Sequence, residues 1–308
     1  MTETAEKEST RSGPGSVVAE KAFLFAGRNS AMQVVETIAG MRQVRKQLRG
    51  PVGFVATMGC LHEGHLSLVR KARAENPSVV VSIFVNPAQF GPTEDFASYP
   101  RDLPRDLALL EKEKVDIVFA PSVAEMYPPG FNCWIAVAKI TDRLEGASRP
   151  GHFRGVATVV NKLFDIIQPD VAYFGQKDAQ QVLVIRKMVA DLNMDIKIIA
   201  LPTVRESDGL AVSSRNAYLN DKERKAAPVL YRALCLARKL WERGEKDAER
   251  IRQRMWEVIE EEPLATVDYV SIADPETLEE MDGIRTPALV SLAVRIGRTR
   301  LIDNVVVG

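Results

Sequence analysis

An excess of one charge is missing from this sequence, in which 41 Lys and Arg balance 41 Asp and Glu over 308 residues. Zero net charge leaves no global field to hold nucleic acid or an anionic membrane, so any anion site must be local. Cysteine is scarce as well. Cys60, Cys133 and Cys235 are odd in number, far apart and in no C-x-x-C spacing. That argues against a disulfide framework or a zinc ribbon and points to a reducing compartment, the cytoplasm. The most apolar stretch, Val79 to Val85, is about a third of the ~20 residues a membrane helix needs. The N-terminus carries acids where a signal peptide would be basic and then apolar.

A hydrophobic content of 46% and a charged content of 27% suit a folded chain. Its length implies one large domain and a smaller companion. Residues 1–31, rich in Glu, Thr, Ser and Gly, read as a disordered extension. From Met32 a helical period runs through Val35, Ile38, Met41, Val44 and Leu48 to a stop at Gly50-Pro51. A buried strand follows at 53–56. Helices are then expected at 66–74, 103–113, 155–167 and 179–192, alternating with strands at 79–85, 115–120, 170–174 and 196–201. Continuous apolar strands between amphipathic helices define an α/β fold, a doubly wound Rossmann-like parallel sheet over 32–202 with its ligand site at the carboxyl ends of the strands. Residues 203–308 read as a smaller α+β lid domain, with helices at 221–243 and 247–261 and strands at 267–272, 288–295 and 300–307.

The strongest local signal is Thr57-Met-Gly-Cys-Leu-His-Glu-Gly-His65, which joins a predicted strand to a predicted helix. His62 and His65 stand three residues apart, on one face of a helical first turn whose free N–H groups attract anions. Gly64 would let a phosphate approach the backbone. Two bland readings stand beside this one: a packed or capping pair of histidines, and a metal site recruiting Cys60 or His152. The spacing is not the H-E-x-x-H of metalloproteases. A second signal, Phe174-Gly-Gln-Lys-Asp178, again leads from strand to helix. Gly175 permits close approach, Lys177 is a compact cation, and Asp178 suits a helix cap, a ribose hydroxyl or a metal-bound water. The third, Val212-Ser-Ser-Arg215, offers two hydroxyls and a guanidinium where the fold pattern changes, suited to a polyphosphate. Asn86-Pro-Ala-Gln-Phe-Gly91 and Arg149-Pro-Gly-His-Phe-Arg154 add amides, His152 and cations to strand-end loops, or are only turns.

Together these residues resemble the pantothenate synthetase (pantoate–β-alanine ligase) family of the H-x-G-H nucleotidyltransferase superfamily. The resemblance runs from Met32 to the C-terminus. It rests on Thr57-Met-Gly59 with His62 and His65, Phe84-Val-Asn-Pro-Ala-Gln-Phe90, Tyr99-Pro-Arg101, Arg149-Pro-Gly-His152, Phe174 to Asp178 with Gln181, and Val204-Arg-Glu with Ser213-Ser-Arg215. It departs from the family pattern at Ala56, Cys60 and Val212, where Pro, Ala and Met are usual. The resemblance implies an enzyme that condenses (R)-pantoate with β-alanine using ATP and Mg²⁺, as a cytoplasmic homodimer. It implies that Met58, Gly59, His62, His65, Gly175, Gln176, Lys177, Asp178, Val204, Val212, Ser213, Ser214 and Arg215 hold ATP. His65 would be the general acid, with His62, Lys177 and Arg215 as further catalytic groups. Gln89, Gln181, Asn86, Arg149 and His152 would serve pantoate and β-alanine; no direct metal ligand is assigned.

The chemistry agrees. A carboxylate resists attack by an amine until ATP activates it, and the attack of one anion on another needs concentrated positive charge. The alternatives are an adenylyltransferase that leaves AMP on its acceptor, a nucleotide-binding regulatory module without turnover, and a metal hydrolase.

Overall fold

The computed structural model describes residues 32–92, 94–285 and 287–308; the extension expected over residues 1–31 lies outside them. Six strands form one parallel sheet: β1 (Gln33–Val35), β2 (Val52–Thr57), β3 (Ser78–Ile83), β4 (Ile117–Phe119), β5 (Val171–Gly175) and β6 (Lys197–Leu201). Their spatial order is β1-β4-β3-β2-β5-β6. The chain steps outward from β2 through β3 to β4, then returns to lay β5 on the other side of β2. The order therefore reverses between β2 and β5, the place where doubly wound sheets open a crevice at their strand ends.

The connecting helices are α1 (Ile38–Arg45), α2 (Glu63–Glu75), α3 (Leu103–Lys112), the single turns α4 (Val123–Met126) and α5 (Glu145–Ser148), α6 (His152–Ile167) and α7 (Ala179–Asp191). Alternate strand residues feed two cores. Phe54, Val80 and Phe174 pack with Val156, Val160 and Ile185 of α6 and α7, while Val55, Val81 and Tyr173 pack with Leu68, Val69 and Leu110 of α2 and α3. With both faces covered, the strands read as unbroken apolar runs. Phe54 is fully buried, which contributes about 2–3 kcal/mol.

The helix expected from Met32 begins later. Residues 33–35 instead form β1, paired in register with Ile117–Phe119, and the helix starts at Ile38 behind its Thr37 cap. The single helix expected at 221–243 is two, α8 (Asp221–Ala226) and α9 (Val229–Glu242). Pro228, which has no N–H to continue the ladder, sits between them. With α10 (Ala248–Glu260) they cover an antiparallel sheet of β7 (Ala265–Ala273), β8 (Ala288–Ile296) and β9 (Thr299–Val307), whose core joins Leu230, Leu234, Ile251 and Met255 to Val290 and Leu292. No helix among the described residues is long and apolar enough to cross a membrane.

Candidate active site

The loop leaving β2 is shaped from within. Gly59 and Cys60 both have left-handed backbones, φ 81° and 50°, the first at home in glycine and the second costly for a side chain. The buried carboxylate of Asp106, on α3, holds the bend by accepting from the amides of Cys60 and Leu61 at 2.8 Å each. Burial raises its pKa, and those two amides pull the other way.

His62 is the N-cap residue of α2, with an extended backbone and no side-chain capping bond. His65 lies in the first turn, and the two rings stack with centroids 4.0 Å apart. Neither Nδ1 has a hydrogen-bond partner although both are buried, so the pair does not cap the helix. Burial, then the charge of Lys177, lowers the His62 pKa to about 4. Burial, then His62 and Lys177, lowers that of His65 to about 3. Both are neutral imidazoles at pH 7. At Gly64 a Cβ would meet Cε1 and Nδ1 of His62 at 3.0 Å, so the missing side chain also makes room for an imidazole.

Across the switch point, β5 ends in Gly175, where a Cβ would meet nothing within 4 Å. The turn Gln176–Asp178 follows, with Lys177 Nζ 3.5 Å from the Asp178 carboxylate. Asp178 makes no capping bond to α7, which removes the cap among its three expected roles. Gln176 points elsewhere, its Nε2 donating to Asn304 Oδ1 at 3.3 Å.

Beyond β3, Asn86 is buried and fully engaged: it donates to Gln89 Oε1 and to the Gly155 carbonyl, and accepts from the Ala88 amide and the Tyr127 hydroxyl. Gln89 Nε2 reaches Met58 Sδ at 3.0 Å. Arg149 forms a two-point pair with Glu94 at 2.7 and 2.6 Å. Its Nη1 also lies 3.1 Å from His152 Nε2. Arginine only donates, so that Nε2 accepts, and Nδ1 carries the proton it gives to the Gln89 carbonyl at 2.7 Å. Burial and Arg149 lower the His152 pKa to about 4, in keeping with this neutral form.

The segment after β6 turns back on itself, Val212 N donating to Val204 O. Ser213 caps the turn carrying Arg215, and Ser214 Oγ donates to the Cys60 carbonyl at 3.3 Å. Arg215 gives Nε and Nη2 to Asp95 at 3.2 and 3.1 Å.

One lobe of the cleft, about 220 Å³, is lined by Met58, His62, His65, Asn86, Gln89, Arg149, His152, Gly175, Lys177, Asp178, Gln181, Val204 and Val212–Arg215. A wider lobe of about 840 Å³ shares Lys177, Asp178, Gln181 and Arg215 with it and extends to the face of the antiparallel sheet. Of the expected site residues only Gly59 and Gln176 line neither lobe. Gly59 lies in the bend after β2, and Gln176 donates to Asn304. Sequence reasoning missed Asp106, Glu94, Asp95 and Asn304, each of which holds an expected residue or its loop. Among the described residues no group of three or more His, Cys, Asp or Glu could hold a metal ion, so neither Cys60 nor His152 joins the His pair in such a site.

A parallel sheet whose switch-point crevice carries an H-x-G-H turn on one strand and a Gly-x-Lys-Asp turn on the next defines a nucleotide-binding α/β enzyme. The comparison with known families narrows this: the model of the family described as pantoate-beta-alanine ligase matches residues 33–306, and the chain belongs to that family. The pantothenate synthetase of Roseiflexus castenholzii is 63% identical over 273 residues, 89% of this chain and 98% of its own. The crystal structure of a pantothenate synthetase from Thermus thermophilus matches with a TM-score of 0.86 at 52% identity, covering 88% of this chain and 98% of that one. A pantoate-beta-alanine ligase from Francisella tularensis, solved in complex with beta-gamma ATP and beta-alanine, matches with a TM-score of 0.74 at 37% identity, covering 90% and 98%.

Proposed function

We propose that this chain is an ATP-dependent ligase that joins (R)-pantoate to β-alanine through a pantoyl adenylate, releasing pyrophosphate and then AMP. The observation that carries the reading is the convergence of His62, His65, Lys177 and Arg215 on one cleft at the switch point, in a chain of this family.

The pantoate carboxylate attacks the α-phosphorus of ATP and the bond to the bridging oxygen breaks, so charge moves onto departing pyrophosphate. Lys177 and Arg215 meet that charge. His65 acts as a hydrogen-bond donor rather than a resident imidazolium, since it is neutral in the free chain. An arriving polyphosphate raises its pKa, so the imidazole can take up a proton from solvent with the nucleotide and pass it to the departing pyrophosphate. The neutral amine of β-alanine then attacks the acyl carbon and AMP leaves.

Met58, Gly175, Asp178, Val204, Val212, Ser213 and Ser214 frame the nucleotide, while Gln89 and Gln181, neutral amides with donors and acceptors, hold the hydroxy acid. Asn86, Arg149 and His152 act behind Gln89, because their polar atoms are taken up fixing it and its loop. Asp178, uncapped and facing the cleft, is the carboxylate that would hold Mg²⁺ brought in on the phosphates, where one or two carboxylates suffice. The ion would supply further neutralisation of phosphate charge. Residues 32–202 form the nucleotide-binding unit and 203–308 the lid that excludes water. A cytoplasmic homodimer belongs to the same proposal, checked by sedimentation and by cell fractionation.

The test is mass spectrometry of purified protein with ATP, Mg²⁺, pantoate and β-alanine, each organic acid omitted in turn. Pantothenate, AMP and pyrophosphate should appear together only in the full mixture. ATP returned unchanged, or AMP retained on an acceptor, would refute the reading.

A further inference from the structure

β9 presents two adjacent buried side chains to the crevice, Asp303 and Asn304, 3% and 4% exposed. Asn304 Nδ2 donates to the carbonyls of both Gln176 and Lys177, at 2.9 Å each, and Oδ1 accepts from Gln176 Nε2. The turn so held has no side-chain cap of its own. Both of its first two carbonyls accept from that one amide nitrogen. One neutral nitrogen with two protons meets both; a carboxylate in its place would set anionic oxygens against carbonyl oxygens. Asp303 pins Asn304 by accepting from its backbone N–H at 2.8 Å, and takes both Nη atoms of Arg205 at 2.5 and 3.0 Å. Arg205 stands at the start of the segment that leads to Arg215. A single strand of the antiparallel sheet therefore grips both cation-bearing segments of a cleft built mainly on the parallel sheet.

We propose that Asn304 is a positioning residue for Lys177, fixing the peptide planes of the Gln176–Lys177 turn to β9 and with them the direction of the lysine side chain. This rests on the reading of Lys177 as a phosphate-binding group.

The experiment is a double-mutant cycle in the full chain: wild type, Asn304→Ala, Lys177→Ala and the double variant. It is read as kcat/KM for ATP, KM for β-alanine and affinity for a non-hydrolysable ATP analogue. Asn304→Ala should lower kcat/KM for ATP by about 10- to 100-fold, the scale of a sub-ångström to ångström misplacement, with KM for β-alanine unchanged. In the Lys177→Ala background the same substitution should cost less than about twofold, because the residue it acts through is gone. Fully additive losses would overturn the proposal. If the alanine variant does not fold, Asn304→Asp, of nearly the same volume, supplies the cycle with the same expectations. Collapse of both variants would make Asn304 purely structural and overturn the proposal too. A wild-type chain that binds nucleotide but makes no pantothenate would sink the ligase reading alone, and the cycle on analogue affinity would still decide the role of Asn304.

Discussion

Replacing Gly64 by alanine separates two explanations of the glycine in H-x-G-H. A Cβ at this position would lie 3.0 Å from two atoms of the His62 ring, a contact that forces the ring to give by a few tenths of an ångström. The ring cannot move alone, since it is stacked on His65 at 4.0 Å. A displacement of that size at the proposed catalytic pair should lower kcat by about tenfold, a fraction of the ~10²-fold attached to a full ångström. Stability should scarcely change: alanine gains about 0.5–1 kcal/mol over glycine in a helix, and the crowded contact offsets it. The assay is the initial rate of AMP formation at saturating substrates, with urea midpoints measured in parallel. A lower kcat with an unmoved KM for ATP and a midpoint near wild type is the expected result. A raised KM with normal kcat would show that the glycine serves close approach of a phosphate and would refute the seating argument.

His65→Ala should reduce turnover by about 10²-fold or more with the circular dichroism spectrum unchanged; a near-normal rate would remove His65 from the mechanism. Asp95→Asn should free Arg215 from its pair and lower KM for ATP by about fivefold, the equivalent of roughly 1 kcal/mol for a partly buried ion pair. Weaker ATP binding would make Asp95 a helper of the site and not a rival for the guanidinium. The three histidines have folded-state pKa values of about 4, 3 and 4, below the 6.5 of an unfolded chain. As pH falls from 6.5 towards 4, the unfolded chain takes up protons the fold refuses, so stability declines by up to about 1.4 kcal/mol per pH unit for each. The urea midpoint should be lower at pH 5 than at pH 7.5, and equal midpoints would contradict the buried neutral state.

The parallel sheet was legible because its strands are buried on both faces and its helices keep a 3.6-residue period. β1 was not, since Val35, Ile38 and Met41 keep the helical spacing straight through a three-residue strand whose reason for existing is Phe119, far along the chain. The break at Pro228 was visible as a residue and was outweighed by the periodicity around it. At the site, the residues that face the cleft stood in short runs at strand ends and could be read there. Those that hold them could not: Asp106 looks like any acid on a helix surface until the fold brings it to the amide of Cys60, 46 residues away. Asn304 is 127 residues from the Lys177 carbonyl it serves. No local pattern announces a partner at such a distance.

By accepting from the Cys60 and Leu61 amides, Asp106 gives the turn after β2 an internal anion from the moment the chain folds. The turn is therefore built before any nucleotide arrives, and a ligand that meets it finds the bend already made. On the other side of the crevice the guanidinium of Arg215 is already spoken for by Asp95, so the two halves differ in whether their internal anion faces the backbone or a cation.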